Sequence, residues 1–375
     1  MKEKRNAKII KTPDLLSYSA RQQKKEKLPL LQQGYCFLAL STNRRIKKNI
    51  SLCYHWNQTA SAKFPYVGHL FLWNQTYLPS TSHFLFSYNT IMYNILSSVH
   101  PNAKINLGLF ILDKRPDGYH NLETVFIPIP LRDNLDIHPL HSEDKPWQLE
   151  LTGHPVTGTP ETNLVIKVFS SLQQEFHLPP CSIRLDKKIP LGAGLGGGSS
   201  DAAFMMQLLN EKFNLGLSAD ECKQRLKSFG ADCPFFIDNR PAFATGIGDI
   251  LQPVSLSLKD KWLVLVKPPI PVSTRDAYAE VVCRKEAPVH LPSALQRPIS
   301  EWRDTVINDF EKSVFKKHPD IQAIKETLYD MHALYASMSG SGSTVFGLFH
   351  QKPYADLNTI FPDCFVYTQQ LLINS

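Results

Sequence analysis

The chain has 375 residues, 43% hydrophobic and 20% charged, a composition that excludes a fibrous or wholly disordered protein. Its formal charge of +7 is unevenly placed: residues 1–91 hold fourteen Lys/Arg against three Asp/Glu, and 92–375 hold 27 against 31. The body is mildly acidic, which gives no support for a nucleic-acid-binding surface, and no run approaches 18 apolar residues, so no membrane span is expected.

Residues 1–91 read unlike the rest. Basic pairs (Lys24-Lys25, Arg44-Arg45, Lys47-Lys48) alternate with short aromatic runs, and neither a period of two nor one of 3.6 persists. Two explanations compete: an organelle transit peptide, or an upstream stretch outside the functional protein with Met92 as the working start. The richness in Trp, Tyr and His favours the second, and little stable structure is expected there. Cys36, Cys53, Cys181, Cys222, Cys233, Cys283 and Cys364 show no zinc or redox spacing. Scattered thiols of this kind point to a reducing compartment and a cytoplasmic protein, with a plastid-type organelle as the alternative if 1–91 is a transit peptide.

After Met92 the pattern becomes regular. Ala103–Leu112 alternates apolar and polar residues as a strand does, Arg115-Pro-Asp-Gly118 is turn chemistry, and Leu122–Ile127 returns, so 103–129 reads as a hairpin. A strand at Asn134–His138 follows, then a helix entered at 161–169 with Thr162 or Asn163 as its cap. Cys181–Ile189 reads as a half-buried strand and runs directly into Pro190-Leu-Gly-Ala-Gly-Leu-Gly-Gly-Gly-Ser-Ser-Asp-Ala-Ala203, after which apolar residues recur at helical spacing.

Strand, glycine loop and helix together suit an anion. Glycines let backbone N–H groups converge, and the helix's first free amides and its dipole add to them. Ser199 and Ser200 are good N-caps ahead of that helix. Gly192, Gly194 and Gly197 satisfy G-x-G-x-x-G, but mid-chain and without an early βαβ unit; no lysine follows Gly198, so the loop is not a Walker cradle either.

Further on, Ser218-Ala-Asp-Glu221 is a capping box opening a helix that runs to about Phe229. Asp232, in Gly230-Ala-Asp-Cys-Pro234 before an apolar strand-like run, is either a turn residue or a carboxylate held at a cleft. Lys261–Val266 reads as a buried strand, followed by helices at 274–283, 308–314 and 320–331. A second small-residue loop, Ser337–Ser343, leads into Thr344–Phe349; it is either a plain hairpin turn or a flap over a site built upstream.

Four stretches together resemble the GHMP kinases, the family named for galactokinase, homoserine kinase, mevalonate kinase and phosphomevalonate kinase. They are Pro101–Leu107, Arg115–His120, Pro190–Ala203 and Ser339–Ser343. Asn-Ala-Lys-x-Asn-Leu with Arg-Pro-Asp-Gly-Tyr-His resembles the branch that phosphorylates 4-diphosphocytidyl-2-C-methyl-D-erythritol in non-mevalonate isoprenoid synthesis. The resemblance covers nearly all of 92–375 and does not extend to 1–91. It implies an α+β, two-domain fold: an N-terminal α/β domain of ribosomal-S5-like type over 92–255 and a ferredoxin-like C-terminal domain over 256–375, with the site between them.

It also implies ATP and Mg²⁺, and a small-molecule substrate in which cytidine diphosphate is joined to methylerythritol. Carried onto matching positions, Lys104 and Asp232 resemble the catalytic pair. Pro190, Leu191, Gly192, Ala193, Gly194, Leu195, Gly196, Gly197, Gly198, Ser199 and Ser200 would wrap the ATP phosphates, with Ser200 touching the metal directly or through water. Asn106, Tyr119 and His120 match substrate positions, Tyr278 is the nearest candidate for a second aromatic on the cytosine, and Gly340, Ser341 and Gly342 would complete the site. Two alternatives stand beside this: a homoserine- or mevalonate-type kinase of the same superfamily, and a dinucleotide-binding oxidoreductase using the G-x-G-x-x-G run.

Overall fold

The computed structural model describes residues 97–140 and 144–372, together with the backbone of three strands at 33–40, 50–57 and 69–73. The chain divides into two units, Met1–Ser87 and Tyr88–Ser375. In the first, β1 (Gln33–Leu40), β2 (Ile50–Asn57) and β3 (His69–Trp73) form an antiparallel sheet in that order. Sequence alone predicts little stable structure here; the strands arise in its aromatic and aliphatic runs, residue types that favour extended backbone. The rest of the 1–91 segment, and the start at Met92, lie outside the described residues.

In the second unit, β4 (Ser97–Val99) precedes β5 (Asn102–Lys114) and β6 (His120–Arg132), which pair antiparallel as the turn chemistry predicts. Gly118 sits at φ +88, and its N–H reaches Arg115 O. β5 is buried on both faces from Asn102 to Ile111, not half-exposed as its alternation suggests. The cover comes from far along the chain: Lys104 N–H donates to Leu195 O at 2.9 Å and Leu109 N–H to Ile307 O at 2.9 Å.

β7 (Asn134–Pro139), β8 (Trp147–Gly153) and β9 (Cys181–Lys187) join β4 in a sheet ordered β4-β7-β9-β8. β8 runs parallel to β9, and α1 (Leu164–Phe176) makes the crossover, so a βαβ unit does lead into the glycine loop. Asn163 caps α1, its side chain accepting from Val165 N–H.

α2 (Gly197–Phe213) starts three residues earlier than a Ser199 cap predicts and four earlier than a Ser200 cap. Gly196 is the N-cap at φ +69, and Ser199 and Ser200 fall inside the first turn. α3 (Ala219–Leu226) opens on the Ser218/Glu221 capping box. The strand-like run after Asp232 is instead a helical turn, α4 (Phe235–Asp238): short apolar runs do not separate strand from helix. β10 (Ala242–Thr245) and β11 (Ile250–Pro253) then extend the first hairpin in the order β11-β10-β6-β5.

The last third begins with β12 (Trp262–Lys267), followed by α5 (Thr274–Ala279), α6 (Leu291–Ala294), α7 (Phe310–Lys317) and α8 (Pro319–Asp330). β13 (Tyr335–Met338), β14 (Val345–Phe349), α9 (Leu357–Ile360) and β15 (Phe365–Gln370) complete it. The sheet order β13-β14-β12-β15, all antiparallel, is the ferredoxin-like arrangement.

One apolar core joins this sheet to the first hairpin. Ile105, Leu107 and Phe110 of β5 pack with Leu263 and Leu265 of β12 and with Phe346 and Leu348 of β14. Ala193 and Leu195 of the glycine loop are anchored in the same cluster, which seats the loop against β5.

Candidate active site

Lys104 stands on β5 and Asp232 in the turn between α3 and α4, and Nζ lies 3.3 Å from Oδ2. The lysine side chain is 4% exposed and that of the aspartate 33%. Nζ also donates to Asn106 Oδ1 at 2.7 Å and sits 4.9 Å from the Phe126 ring centre. A buried ammonium is costly unless paired; here a carboxylate, an amide oxygen and an aromatic face share it. The Asp232 carboxylate pairs with Lys104, and its backbone O takes the turn's hydrogen bond from Phe235 N–H. Asn106 is held by its Nδ2 donating to Thr124 Oγ1 at 3.0 Å.

The glycine loop lies directly over this pair. A Cβ on Gly196 would come within 3.1 Å of the Lys104 side chain and 3.0 Å of Phe236. Ala193 and Leu195 point into the core, while Gly192 faces open space. At the first turn of α2 the Ser200 hydroxyl is buried with no protein partner, which leaves it available to a phosphate oxygen or a cation.

The second loop meets the first. Ser339 Oγ donates to Gly194 O at 2.9 Å, and a Cβ on Gly194 would lie 2.0 Å from Ser339 O, so no side chain fits there. This loop is the hairpin connection of β13 and β14, and it touches the first glycine loop. Gly340 is buried beside Gly194 and Asn106, and Ser341 Oγ lies 3.2 Å from Thr274 Oγ1. Asn308 was not singled out in the sequence, yet its Nδ2 donates to Met338 O at 2.7 Å and Gly340 O at 2.8 Å and so fixes the loop's entry. The only local signal is the run Asn308-Asp-Phe-Glu311, which reads as a helix start.

His120 and Tyr278 stack at 5.0 Å with planes 22° apart, and Tyr278 in turn meets Phe310 edge-on at 4.8 Å. Burial lowers the His120 pKa, favouring the neutral ring, and burial together with the Asp232 charge pushes the Tyr278 hydroxyl up to about 12. Tyr278 therefore lies within electrostatic reach of Asp232. Tyr119 stands apart from this stack, 60% exposed, with its N–H on Asp117 Oδ1. Among the described residues no group of three or more His, Cys, Asp or Glu side chains is placed to hold a metal.

Residues 163–243 match the model of the GHMP kinases N terminal domain, and 291–358 that of the GHMP kinases C terminal. The chain is 58% identical over 250 residues to the 4-diphosphocytidyl-2-C-methyl-D-erythritol kinase of Bacteroides fragilis, covering 66% of this chain and 90% of the relative. With the relative of that name in Parabacteroides distasonis it shares 52% over 272 residues, 72% of this chain and 98% of the other. The chain belongs to the 4-diphosphocytidyl-2-C-methyl-D-erythritol kinase family. A crystal structure of 4-(cytidine 5'-diphospho)-2C-methyl-D-erythritol kinase matches this kinase with a TM-score of 0.61 and 29% identity, over 72% of this chain and 98% of that one.

A homoserine kinase from Cytophaga hutchinsonii, at 15% identity and a TM-score of 0.54, covers 74% of this chain and 96% of its own and shares the fold alone. The oxidoreductase alternative is overturned by the family, and the fold agrees: α2 is followed by α3 where a dinucleotide-binding unit needs a second strand.

Proposed function

We propose that this kinase transfers the terminal phosphoryl group of ATP to the tertiary 2-hydroxyl of 4-diphosphocytidyl-2-C-methyl-D-erythritol, within non-mevalonate isoprenoid synthesis. The observation that carries the proposal is the Lys104–Asp232 pair, 3.3 Å apart beneath a glycine loop that opens a helix. An alcohol is a weak nucleophile at neutral pH. The exposed side of Asp232 accepts its proton as the oxygen attacks phosphorus, and Lys104 offsets charge on the group in transit. Most of the remaining work is positioning.

The loop 190–200 cradles the phosphates with backbone N–H groups, and the second loop, through Gly340, Ser341 and Gly342, closes the other side. The unpartnered Ser200 hydroxyl is the protein group that would hold Mg²⁺, which when bound would neutralise charge on the phosphates. Asn106 orients the alcohol. Tyr119 and Tyr278 offer aromatic faces to the cytosine, and neutral His120 offers its edge one donor and one acceptor. In this reading 92–255 and 256–375 are the two catalytic domains, 1–91 lies outside the working enzyme, and the protein acts in the cytoplasm.

A coupled assay of ATP consumption tests the proposal, with the cytidylylated alcohol, homoserine and mevalonate offered separately. Turnover with the first alone is expected; turnover only with a non-cytidylylated alcohol rejects it.

A further inference from the structure

Beneath the first glycine loop lies a buried ion cluster that the phosphoryl transfer does not use. Lys187, the last residue of β9 and 2% exposed, donates its ammonium to Asp133 and, at 2.7 Å, to Asp201 Oδ2. Asp133, fully buried between β6 and β7, accepts on its other oxygen from the N–H groups of Lys188 at 2.5 Å and Ile189 at 2.8 Å. Its own N–H is fixed on Pro101 O at 2.9 Å. Asp201, 3% exposed in the first turns of α2, is turned onto Lys187.

These contacts sit at the loop's two ends. The chain enters the loop at Ile189 and leaves it at Gly197, where a Cβ would come 2.9 Å from Ile189 Cγ2 and 3.4 Å from Lys187 Nζ. Entry and exit therefore touch one another over the ammonium. We propose that Lys187, bridging Asp133 at the entry and Asp201 at the exit, is a positioning clamp on the neck of the glycine loop that sets nucleotide affinity without touching substrate. The proposal rests on the loop being the nucleotide cradle.

Two physical points support it. A loop that must order on binding loses affinity to that ordering, and a closed neck removes much of the cost beforehand. Charge points the other way: two carboxylates and one ammonium leave a net negative cluster below a site for anions, which disfavours phosphate. Geometry and charge thus predict opposite effects of removing the Asp201 carboxylate. The charged groups that face it are Lys187 and Asp133, and burial pushes its carboxyl upward, partly opposed by Lys187.

The test compares Asp201→Ala and Asp201→Asn in the full chain. Both delete the charge, but only asparagine keeps an acceptor for Lys187. Hydrogen exchange of the 187–200 segment is read without nucleotide, and KM for ATP, KM for the alcohol and kcat are read separately. The clamp predicts that Asp201→Ala exchanges about tenfold faster in this segment and raises KM for ATP about tenfold, with the alcohol KM and kcat within about twofold. Asp201→Asn should restore both readouts to within about threefold of wild type.

Wild-type exchange and KM in Asp201→Ala, or tighter ATP binding in both variants, overturns the clamp. So does a parallel loss of kcat and both KM values, which marks a merely structural role. Because exchange is read on the free protein, a wild-type chain that fails to use ATP sinks the kinase proposal on the activity arm, while the exchange arm still judges the neck.

Discussion

Lys104 and Asp232 form an asymmetric pair: the ammonium is almost wholly buried while a third of the carboxylate side chain is exposed. The lysine is held by Asn106 and Phe126, so in the proposed mechanism the group left to meet the substrate hydroxyl is the aspartate. Asp232→Asn keeps the shape and removes the proposed base. Turnover should fall about 10²–10⁴-fold with KM for ATP nearly unchanged, measured by steady-state kinetics. A near-normal rate would show the base assignment to be wrong.

Tyr119 offers a cleaner probe of recognition than its neighbours, because an exposed ring contributes little to the core. Tyr119→Ala should raise KM for the cytidylylated alcohol by the worth of one stacked base, about 1–3 kcal/mol or roughly 5- to 150-fold, and leave the melting temperature in place. Unchanged KM would remove Tyr119 from the base site.

The two glycines at the loop's crest should respond differently. At Gly192, φ +58 with open space around it, alanine bears only the left-handed backbone cost of about 1–2 kcal/mol. At Gly194, φ +72, the added carbon would meet Ser339 O at 2.0 Å and force the two loops apart. Gly194→Ala should therefore weaken ATP binding far more than Gly192→Ala, as titration calorimetry would show. Equal effects would deny that contact between the loops shapes the cradle.

A pH prediction follows from the buried cluster. Burial, opposed in part by Lys187, holds the Asp201 carboxyl above its ordinary range. A carboxyl raised in the folded state binds more protons folded than unfolded, so its contribution to stability is fullest in acid and declines as pH climbs through the raised value. Asn at this position does not titrate. The melting temperature of wild type relative to Asp201→Asn should fall between about pH 4 and pH 8. A relative rise would mean that pairing with Lys187 outweighs burial.

Local chemistry made part of this molecule legible in advance. The β5–β6 hairpin follows from Pro-Asp-Gly between two apolar runs, and α1 and α3 from their caps, because those signals act within a few residues. The short strands β4, β10, β11 and β13 and the exposed edge strand β8 carried too little pattern to be read. The cover of Lys104, Leu195 and Gly196, comes from a loop remote in sequence, so nothing local along β5 marks it as buried. Only the family resemblance marked it. Asp133, Lys187 and Asn308 are alike in this: each is defined by a long-range partner, and no spacing along the chain encodes it.

The most direct measurement is a crystal structure of the kinase with an unreactive ATP analogue and the cytidylylated alcohol. The tertiary hydroxyl should lie within about 2.6–3.2 Å of an Asp232 carboxylate oxygen, with the terminal phosphate against the amides of the glycine loop at the start of α2. A triphosphate bound elsewhere, distant from both Lys104 and Asp232, would contradict the account.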